Sequence, residues 1–265
     1  MTAAARPLLD HDDGSPVGLC NPQGSSPVLL IGDHAGRAIP ARLGQLGLAE
    51  PDLERHIAWD IGVRGLGEWL AQRLDAVFLH QCFSRLVIDC NRAPASEEAM
   101  PEVSDGTIIP GNQALSPNDR MDRVTLIHEV YHHAIAAEIA RRQSANIPTI
   151  LISLHSFTPV MDGRAREWNI GVLHDGRRDE FALALLARLQ AEPGLIIGDN
   201  QPYQMDATDY SVPRHAFTNG LAYAELEVRQ DLIASSAGQR EWGQVLASAL
   251  EHALAGMGVS VSPGP

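Results

Sequence analysis

The sequence contains no lysine. All 20 of its basic residues are arginine, set against 33 acidic residues, and the formal net charge is −13. Such an acidic balance opposes a general attraction to phosphate backbones, so we expect no nucleic-acid partner. Without lysine, a substrate carboxylate would have to be bound by planar guanidinium groups.

Cysteines are few and long apolar runs are missing. The three cysteines, Cys20, Cys82 and Cys90, are odd in number and lack Cys-x-x-Cys spacing, which argues against a disulfide framework or a cysteine zinc site. No stretch approaches the roughly 20 apolar residues of a membrane span, and the N-terminus shows no signal-peptide pattern. We therefore expect a soluble, cytoplasmic protein with no membrane partner.

What is present is an alternation of apolar strands and amphipathic helices. The 265 residues suffice for one large domain, so we expect a loosely ordered arm over 1–26 and a single catalytic α/β domain over 27–265. The alternation predicts a mixed, mostly parallel sheet with helices on both faces. The predicted strands are 28–31, 76–80, 86–88, 147–158, 169–173 and 221–228, and the predicted helices are 52–74, 119–142, 179–191 and 241–256. Residues 93–118 are predicted to form a functional loop.

Two histidines stand where apolar strands are predicted to end. His155 closes the run that starts at Ile147, and His34 follows the strand over 28–31. The carboxyl edge of such a sheet is where α/β proteins bind ligands. Two imidazoles and one carboxylate would hold a single zinc ion with an open position for water.

For the carboxylate we favour Asp60, because an acid among apolar neighbours is costly to bury without a partner. Glu54 and Asp33 are the alternatives, and an ordinary solvated helix residue is the competing interpretation of Asp60. Glu227, near the end of a late strand, is a candidate general base. Arg229 could hold the Glu227 carboxylate charged or contact substrate, and a purely structural Glu–Arg ion pair at the strand end is the alternative.

Substrate recognition is predicted at a second strand end. Asn91 and Arg92 offer a planar donor fork suited to a carboxylate, with Arg85 as a further candidate. A helix cap and a solvent-facing arginine would be the structural alternative.

A competing metal motif lies on the predicted helix over 119–142. His128, Glu129 and His132 match HExxH, the zinc motif of many metallopeptidases. The pattern fixes only three positions in a chain with 11 histidines, and no further helix offers an obvious third ligand. A metallopeptidase therefore stays as the alternative enzyme, and a carboxylate-binding protein without catalysis as the alternative outside enzymes.

Several of these segments, taken in order, resemble the N-formylglutamate amidohydrolase family. The matching motifs are Asp33-His34-Ala35-Gly36 with Ile39-Pro40, Asp89-Cys90-Asn91-Arg92, Leu154-His155-Ser156-Phe157, the segment 225–231, and Asn200-Gln201-Pro202-Tyr203 followed by His215. The resemblance spans roughly Val28 to Ile233.

The resemblance implies a phosphorylase/hydrolase-like fold similar to zinc carboxypeptidases, and one Zn²⁺ ion. By it, His155 corresponds to a zinc ligand, Asn91 and Arg92 to substrate-carboxylate ligands, and Glu227 to the general base. Tyr203 and His215 are added as substrate-binding candidates. It further implies hydrolysis of an N-formyl or N-acyl amide on an acidic amino acid such as N-formylglutamate. The sequence departs from the carboxypeptidase pattern after His34, where no glutamate follows three positions on, and this is why Asp60 enters the site.

Overall fold

Seven strands of one sheet carry the fold, and the computed structural model describes residues 7–258 of the chain. In chain order the strands are β1 Val17–Cys20, β2 Val28–Gly32, β3 Val77–Gln81, β4 Val103–Ser104, β5 Thr107–Ile108, β6 Ile150–Phe157, β7 Val160–Met161, β8 Arg164–Ala165, β9 Ile170–Leu173, β10 Ile197–Asp199 and β11 Ala222–Arg229. The helices are α1 Glu50–Leu53, α2 Val63–Arg73, α3 Pro117–Arg123, α4 Glu129–Ser144, α5 Glu180–Gln190, α6 Gln230–Ile233 and α7 Ser236–Gly256. A π-type turn, Val124–His128, joins α3 to α4 without interrupting the helix axis.

The large sheet has the strand order β1-β3-β2-β6-β11-β9-β10. Its centre is parallel, because β3, β2, β6 and β11 all run in one direction. Antiparallel pairs occur between β1 and β3 and between β11 and β9. The sheet is therefore mixed and mostly parallel, as the alternation of strands and helices predicts.

Helices cover both faces of the sheet, which explains why the central strands are apolar throughout. One face packs against α2, α5 and α7 through side chains such as Leu66, Leu185 and Leu250. The other face packs against α4 through Tyr131, Ile135 and others. All eight residues of β6 are buried. The prediction of one α/β domain with helices on both faces is confirmed. No helix within residues 7–258 has the length and apolar character needed to cross a membrane.

The sheet begins earlier than the sequence predicts. Residues Val17–Cys20 lie inside the predicted loose arm, yet they form β1 and pair with β3. Residues 1–6 of that arm, and residues 259–265 of the predicted domain, lie outside the described part of the chain. Short β1 and β10 escaped prediction because edge strands of three or four residues have too few positions to show a periodicity.

Two predicted elements differ from the structure. The helix predicted over 52–74 is divided into α1 and α2, because residues 54–62 form turns between them. Gly62, which immediately precedes α2, adopts φ +86°, a left-handed conformation that an α-helix cannot contain. The strand predicted over 86–88 is a turn leading into irregular chain. Both errors fall where the chain leaves regular geometry to deliver polar side chains to one edge of the sheet.

A buried arginine organises the irregular chain around residues 86–112. The guanidinium of Arg123 donates to Val87 O at 2.9 Å, Gly111 O at 3.1 Å and Asn112 Oδ1 at 2.6 Å. Asn112 in turn donates to Leu86 O at 2.9 Å and to Pro101 O at 2.9 Å. Because this segment has few strand partners, side-chain donors satisfy its buried carbonyls.

Arg123→Met should therefore destabilise the protein strongly. It leaves three buried acceptors without a donor, and we expect the free energy of unfolding to fall by about 3 kcal/mol, measured by urea denaturation. Arg240→Met, at an exposed position of α7, is the matched control and should change it by less than about 0.5 kcal/mol. Equal stability of the two variants would contradict this role for Arg123.

Candidate active site

A polar cavity of about 350 Å³ opens at the carboxyl edge of the parallel strands. His34 follows β2, His155 lies near the end of β6, and Glu227 lies opposite His155 on the neighbouring strand β11. This is the edge at which open α/β sheets place their ligands. The lining comprises His34, His56, Asp60, Arg85, Asn91, Arg92, residues 155–158, Leu173, Tyr203, Gln204, Asp206, Thr208, Asp209, Glu225 and Glu227.

Three buried side chains converge at one end of the cavity. Asp60 Oδ2 lies 3.0 Å from His155 Nδ1 and 3.5 Å from His34 Nδ1. One ligand atom from each of the three residues lies within 4.8 Å of the others. The structure thus brings together the two histidines and the carboxylate that the sequence selects.

The break between α1 and α2 is what carries Asp60 into the site. Its backbone N–H donates to His34 O at 2.9 Å, and its Oδ2 accepts from Ser156 N at 3.2 Å. A Cβ at Gly62 would lie 2.2 Å from Ile233 O, so only glycine fits the close turn that follows. Asp60 is 3% exposed, which excludes the solvated helix residue considered above.

Charge complementarity keeps Asp60 ionised despite its burial. Burial alone would raise the pKa of Asp60, but the adjacent His34 and His155 rings hold that pKa far below its usual value. Conversely, burial would lower the pKa of His155, yet Glu225, Asp33 and Asp60 raise it well above the usual range. The site therefore favours a positive charge between these side chains.

The hydrogen bonds of His34 and His155 indicate which ring nitrogens can face a cation. His34 Nε2 lies 2.7 Å from Asp89 Oδ1, and His155 Nε2 lies 3.0 Å from Ser153 Oγ. A neutral imidazole that donates through Nε2 presents a lone pair at Nδ1. His34 Nδ1 is buried and has no hydrogen-bond partner. His34 Nδ1, His155 Nδ1 and Asp60 Oδ2 thus converge, and with both Nδ1 atoms deprotonated they form a donor set for a cation.

This donor set fits one zinc ion. Two histidines and a carboxylate, with outer nitrogens bound to oxygen acceptors, are the usual ligands of a hydrolytic zinc site. Tetrahedral bonds of about 2.1 Å would place the donor atoms roughly 3.4 Å apart, close to the 3.0 and 3.5 Å found here.

The alternative carboxylates lie elsewhere. Glu54 is half exposed and pairs with Arg37 at 2.5 Å. Asp33 is fully buried on the far side of the His155 ring, with Oδ2 3.6 Å from Nε2. Burial would raise the pKa of Asp33, but the nearby His155 ring lowers it to about 2. Asp33 therefore lies against the Nε2 side of His155, away from the point where His34, Asp60 and His155 converge.

Two glutamates from β11 complete the floor of the cavity. Burial raises the pKa of Glu227 to about 7 and that of Glu225 to about 8, partly offset in each case by His155. One oxygen of each, Oε2, is buried without a hydrogen-bond partner. Glu227 can therefore exchange a proton near neutral pH with a group in the cavity.

The arginines predicted for substrate binding line the cavity but differ in their partners. Arg85 is fully engaged, because it donates to Asp89 Oδ2 at 2.6 Å and lies 3.4 Å from Asp60 Oδ1. Arg92 pairs at 3.1 Å with Glu98, whose side chain is 60% exposed. An exposed pair is weak, so Glu98 holds Arg92 only loosely at the cavity.

Asn91 and Tyr203 also line the cavity, whereas His215 and Arg229 do not. Asn91 Oδ1 accepts from the Tyr210 and Ser211 amides at 2.9 Å each, and its Nδ2 points to Asp209. Arg229 pairs with Asp231 at 2.8 Å. His215 is buried against His132. Arg229 and His215 therefore do not face a ligand held in the cavity.

The HExxH residues do not assemble a metal site. His128 and His132 are buried and bond to backbone carbonyls, at 3.0 Å to Arg92 O and 2.9 Å to Cys90 O. Glu129 is exposed to solvent. Among the described residues, the only grouping with metal-ligand spacing is His34, Asp60 and His155, so the HExxH residues are not the metal site.

Sequence reasoning missed Asp89 and Asp209 as parts of the site. Asp89 bridges His34, Arg85 and the backbone of Asn91, and Asp209 accepts from Asn91 within the cavity. Asp89 does begin the Asp-Cys-Asn-Arg motif, and its position four residues after Arg85 was an available signal. Asp209 lies in a polar loop that carries no comparable pattern.

Comparison with known proteins points to one family. A family model described as N-formylglutamate amidohydrolase matches residues 26–234. A crystal structure of an Agrobacterium tumefaciens gene product is 36% identical and covers 95% of this chain and 99% of its own, with a TM-score of 0.91. N-formylglutamate amidohydrolase from Ralstonia eutropha is 18% identical over 92% of this chain and 100% of its own, with a TM-score of 0.65.

More distant similarity extends to a metallo-carboxypeptidase from Burkholderia cenocepacia, which is 10% identical over 87% of this chain and 57% of its own, with a TM-score of 0.43. No curated protein sequence matches the chain significantly.

Proposed function

Because this chain belongs to the N-formylglutamate amidohydrolase family, whose members are hydrolases of an amide bond, we propose that it is a zinc-dependent enzyme that removes an N-formyl or N-acyl group from an acidic amino acid. The observation that carries the proposal is the convergence of His34 Nδ1, His155 Nδ1 and Asp60 Oδ2 at one end of the cavity.

Zinc is supported by the chemistry of these three atoms. All three can be electron-pair donors and belong to buried residues, and the acidic surroundings of His155 favour a bound cation. Bound there, zinc would lower the pKa of a coordinated water and stabilise the negative charge that develops on the amide oxygen. Asp89 and Ser153 hold the Nε2 side of each histidine and so fix the orientation of both rings.

Glu227 is the proposed general base. It faces the cavity from β11, beside His155 in the strand register. A carboxylate with a pKa near neutrality can take a proton from the attacking water and return it to the leaving amine. Burial supplies that raised pKa, and the unpartnered Oε2 is free to accept the proton.

Arg92 and Asn91 are the proposed ligands of the substrate carboxylate. Arg92 offers a guanidinium whose present partner Glu98 is largely exposed, and Asn91 adds an amide on the same segment. Arg85 adds positive charge to the lining of the cavity, although its donors are already bound to Asp89. Tyr203, whose hydroxyl accepts from Arg166 at 2.9 Å, closes the opposite wall. These groups can bind an anionic substrate locally, although the chain as a whole is strongly acidic.

Purified protein should contain about one zinc ion per chain, measured by elemental analysis. Chelation should lower the melting temperature and zinc should restore it, because a ligand that binds only the folded state stabilises that state. In Asp60→Asn, zinc affinity should fall by more than the roughly 10- to 100-fold typical of losing a hydrogen-bond partner of a ligand. Glu54→Gln is the control and should bind zinc normally. Normal zinc content in Asp60→Asn would refute the ligand assignment.

Glu227→Gln should retain zinc and lose nearly all turnover. Glutamine preserves the shape of the side chain but cannot accept a proton, so we expect kcat to fall by about 100-fold or more. Zinc content and melting temperature, measured on the same preparation, separate loss of catalysis from loss of the site. A fully active variant would remove Glu227 from the role of base.

Substrate class is tested by screening N-formyl and N-acetyl derivatives of amino acids on the zinc-loaded protein. We expect acidic amino acids to be preferred, and Arg92→Met to raise KM about tenfold or more, since it removes a charged hydrogen bond. The control is Arg188→Met. Arg188 lies on α5 and pairs with Glu192, just beyond the end of that helix. If the protein binds acidic ligands but hydrolyses none of these amides, a non-catalytic carboxylate-binding protein becomes the better conclusion.

A further inference from the structure

The segment that carries Asn91 and Arg92 has no regular secondary structure to hold it. Residues 88–92 follow a turn and precede the irregular chain over 93–96. Two of its amides are satisfied within the segment, because Asn91 N donates to Asp89 Oδ1 at 2.8 Å and Arg92 N donates to Asp89 O at 3.3 Å. The carbonyls of Cys90 and Arg92 need donors from outside the segment, since buried backbone acceptors are nearly always paired.

Two of those donors come from the helix behind the segment. His132 Nε2 lies 2.9 Å from Cys90 O, and His128 Nε2 lies 3.0 Å from Arg92 O. The carbonyl between them, Asn91 O, accepts from the Arg92 guanidinium at 2.9 Å. Both histidines are about 1% exposed, so their rings have few contacts with solvent.

The protonation of both rings is determined by these contacts. A carbonyl oxygen only accepts, so Nε2 carries the proton in His128 and in His132. His132 Nδ1 is then an acceptor, and His215 Nε2 donates to it at 2.9 Å. Burial keeps the rings neutral, because it lowers the pKa of His132 well below its usual value and that of His215 to about 4. The cluster is a fixed set of donors rather than a metal site or a proton relay.

We propose that His128 and His132 are positioning residues, which hold the carbonyls on either side of Asn91 and so aim Asn91 and Arg92 at the substrate carboxylate. His215 acts behind them by fixing the His132 ring. This inference rests on the proposed function for the identity of the substrate, although the placement of the segment can be tested without any substrate. It assigns a role to the HExxH residues that involves neither metal binding nor proton transfer.

The test compares leucine and glutamine at both positions. Leucine fills similar space but removes the donor, whereas the glutamine amide carries an N–H at a similar reach. His133→Leu, an exposed histidine on the same helix, is the matched control. Three quantities are measured on each variant: hydrogen exchange of the peptide containing residues 88–92, zinc content, and kcat and KM for N-formyl-L-glutamate.

We expect faster exchange over residues 88–92 in His128→Leu and His132→Leu, with zinc content unchanged. KM should rise about tenfold with a smaller change in kcat, because a misplaced donor weakens substrate binding more than chemistry. Glutamine at either position should partly restore slow exchange and a low KM. His133→Leu and Glu129→Ala should change neither the exchange rate nor KM.

Several outcomes would overturn the inference. Loss of zinc in the leucine variants would make these residues metal ligands, and unchanged exchange would show that they do not hold the segment. Faster exchange with an unchanged KM would make the histidines purely structural. If the wild type hydrolyses no N-acyl amino acid while exchange responds as expected, the proposed function fails and the positioning of the segment stands.

Discussion

The carboxylate of Asp89 is the interaction on which the rest of the site depends. It accepts from His34 Nε2 at 2.7 Å, from Arg85 at 2.6 and 3.1 Å, and from the amide of Asn91 at 2.8 Å. Burial would raise the pKa of Asp89, but Arg85 and His34 hold it well below its usual value. The buried charge of Asp89 thereby links His34, a proposed metal ligand, to Arg85 and to the segment that carries Asn91 and Arg92. A buried carboxylate is tolerable only with such partners, so the three elements have to form together.

Negative charge in the cavity explains the rest of the arrangement. Asp60, Asp209, Glu225 and Glu227 all line it, and Asp33 lies just behind His155. So many carboxylates cannot all be ionised in a buried site without compensation, and raised pKa values at the two glutamates are the result. A divalent cation between His34, Asp60 and His155 would lower this cost. This concentration of buried acids is thus consistent with a site built around a cation.

The sequence predicts the sheet well because its central strands are covered on both faces and must be apolar throughout. It places His34, His155 and Glu227 correctly for the same reason, since polar residues that end such strands share one edge of the sheet. It fails where backbone geometry departs from periodicity. Turns over residues 54–62, with Gly62 at positive φ before α2, divide one predicted helix and bring Asp60 inward, and side-chain bonds from Arg123 replace the strand predicted at residues 86–88. Neither arrangement leaves a periodic signal, because each depends on contacts distant in sequence.

The HExxH helix shows how one spacing can serve two kinds of site. Histidines four residues apart on a helix are displaced by about 6 Å along its axis. Two imidazoles at this spacing can bind one metal ion, or they can bond to two separate carbonyls of a neighbouring turn. Here the rings bond to Cys90 O and Arg92 O, and Glu129 is exposed to solvent. The motif alone cannot distinguish these uses, because the difference lies in what the neighbouring segment presents to the helix.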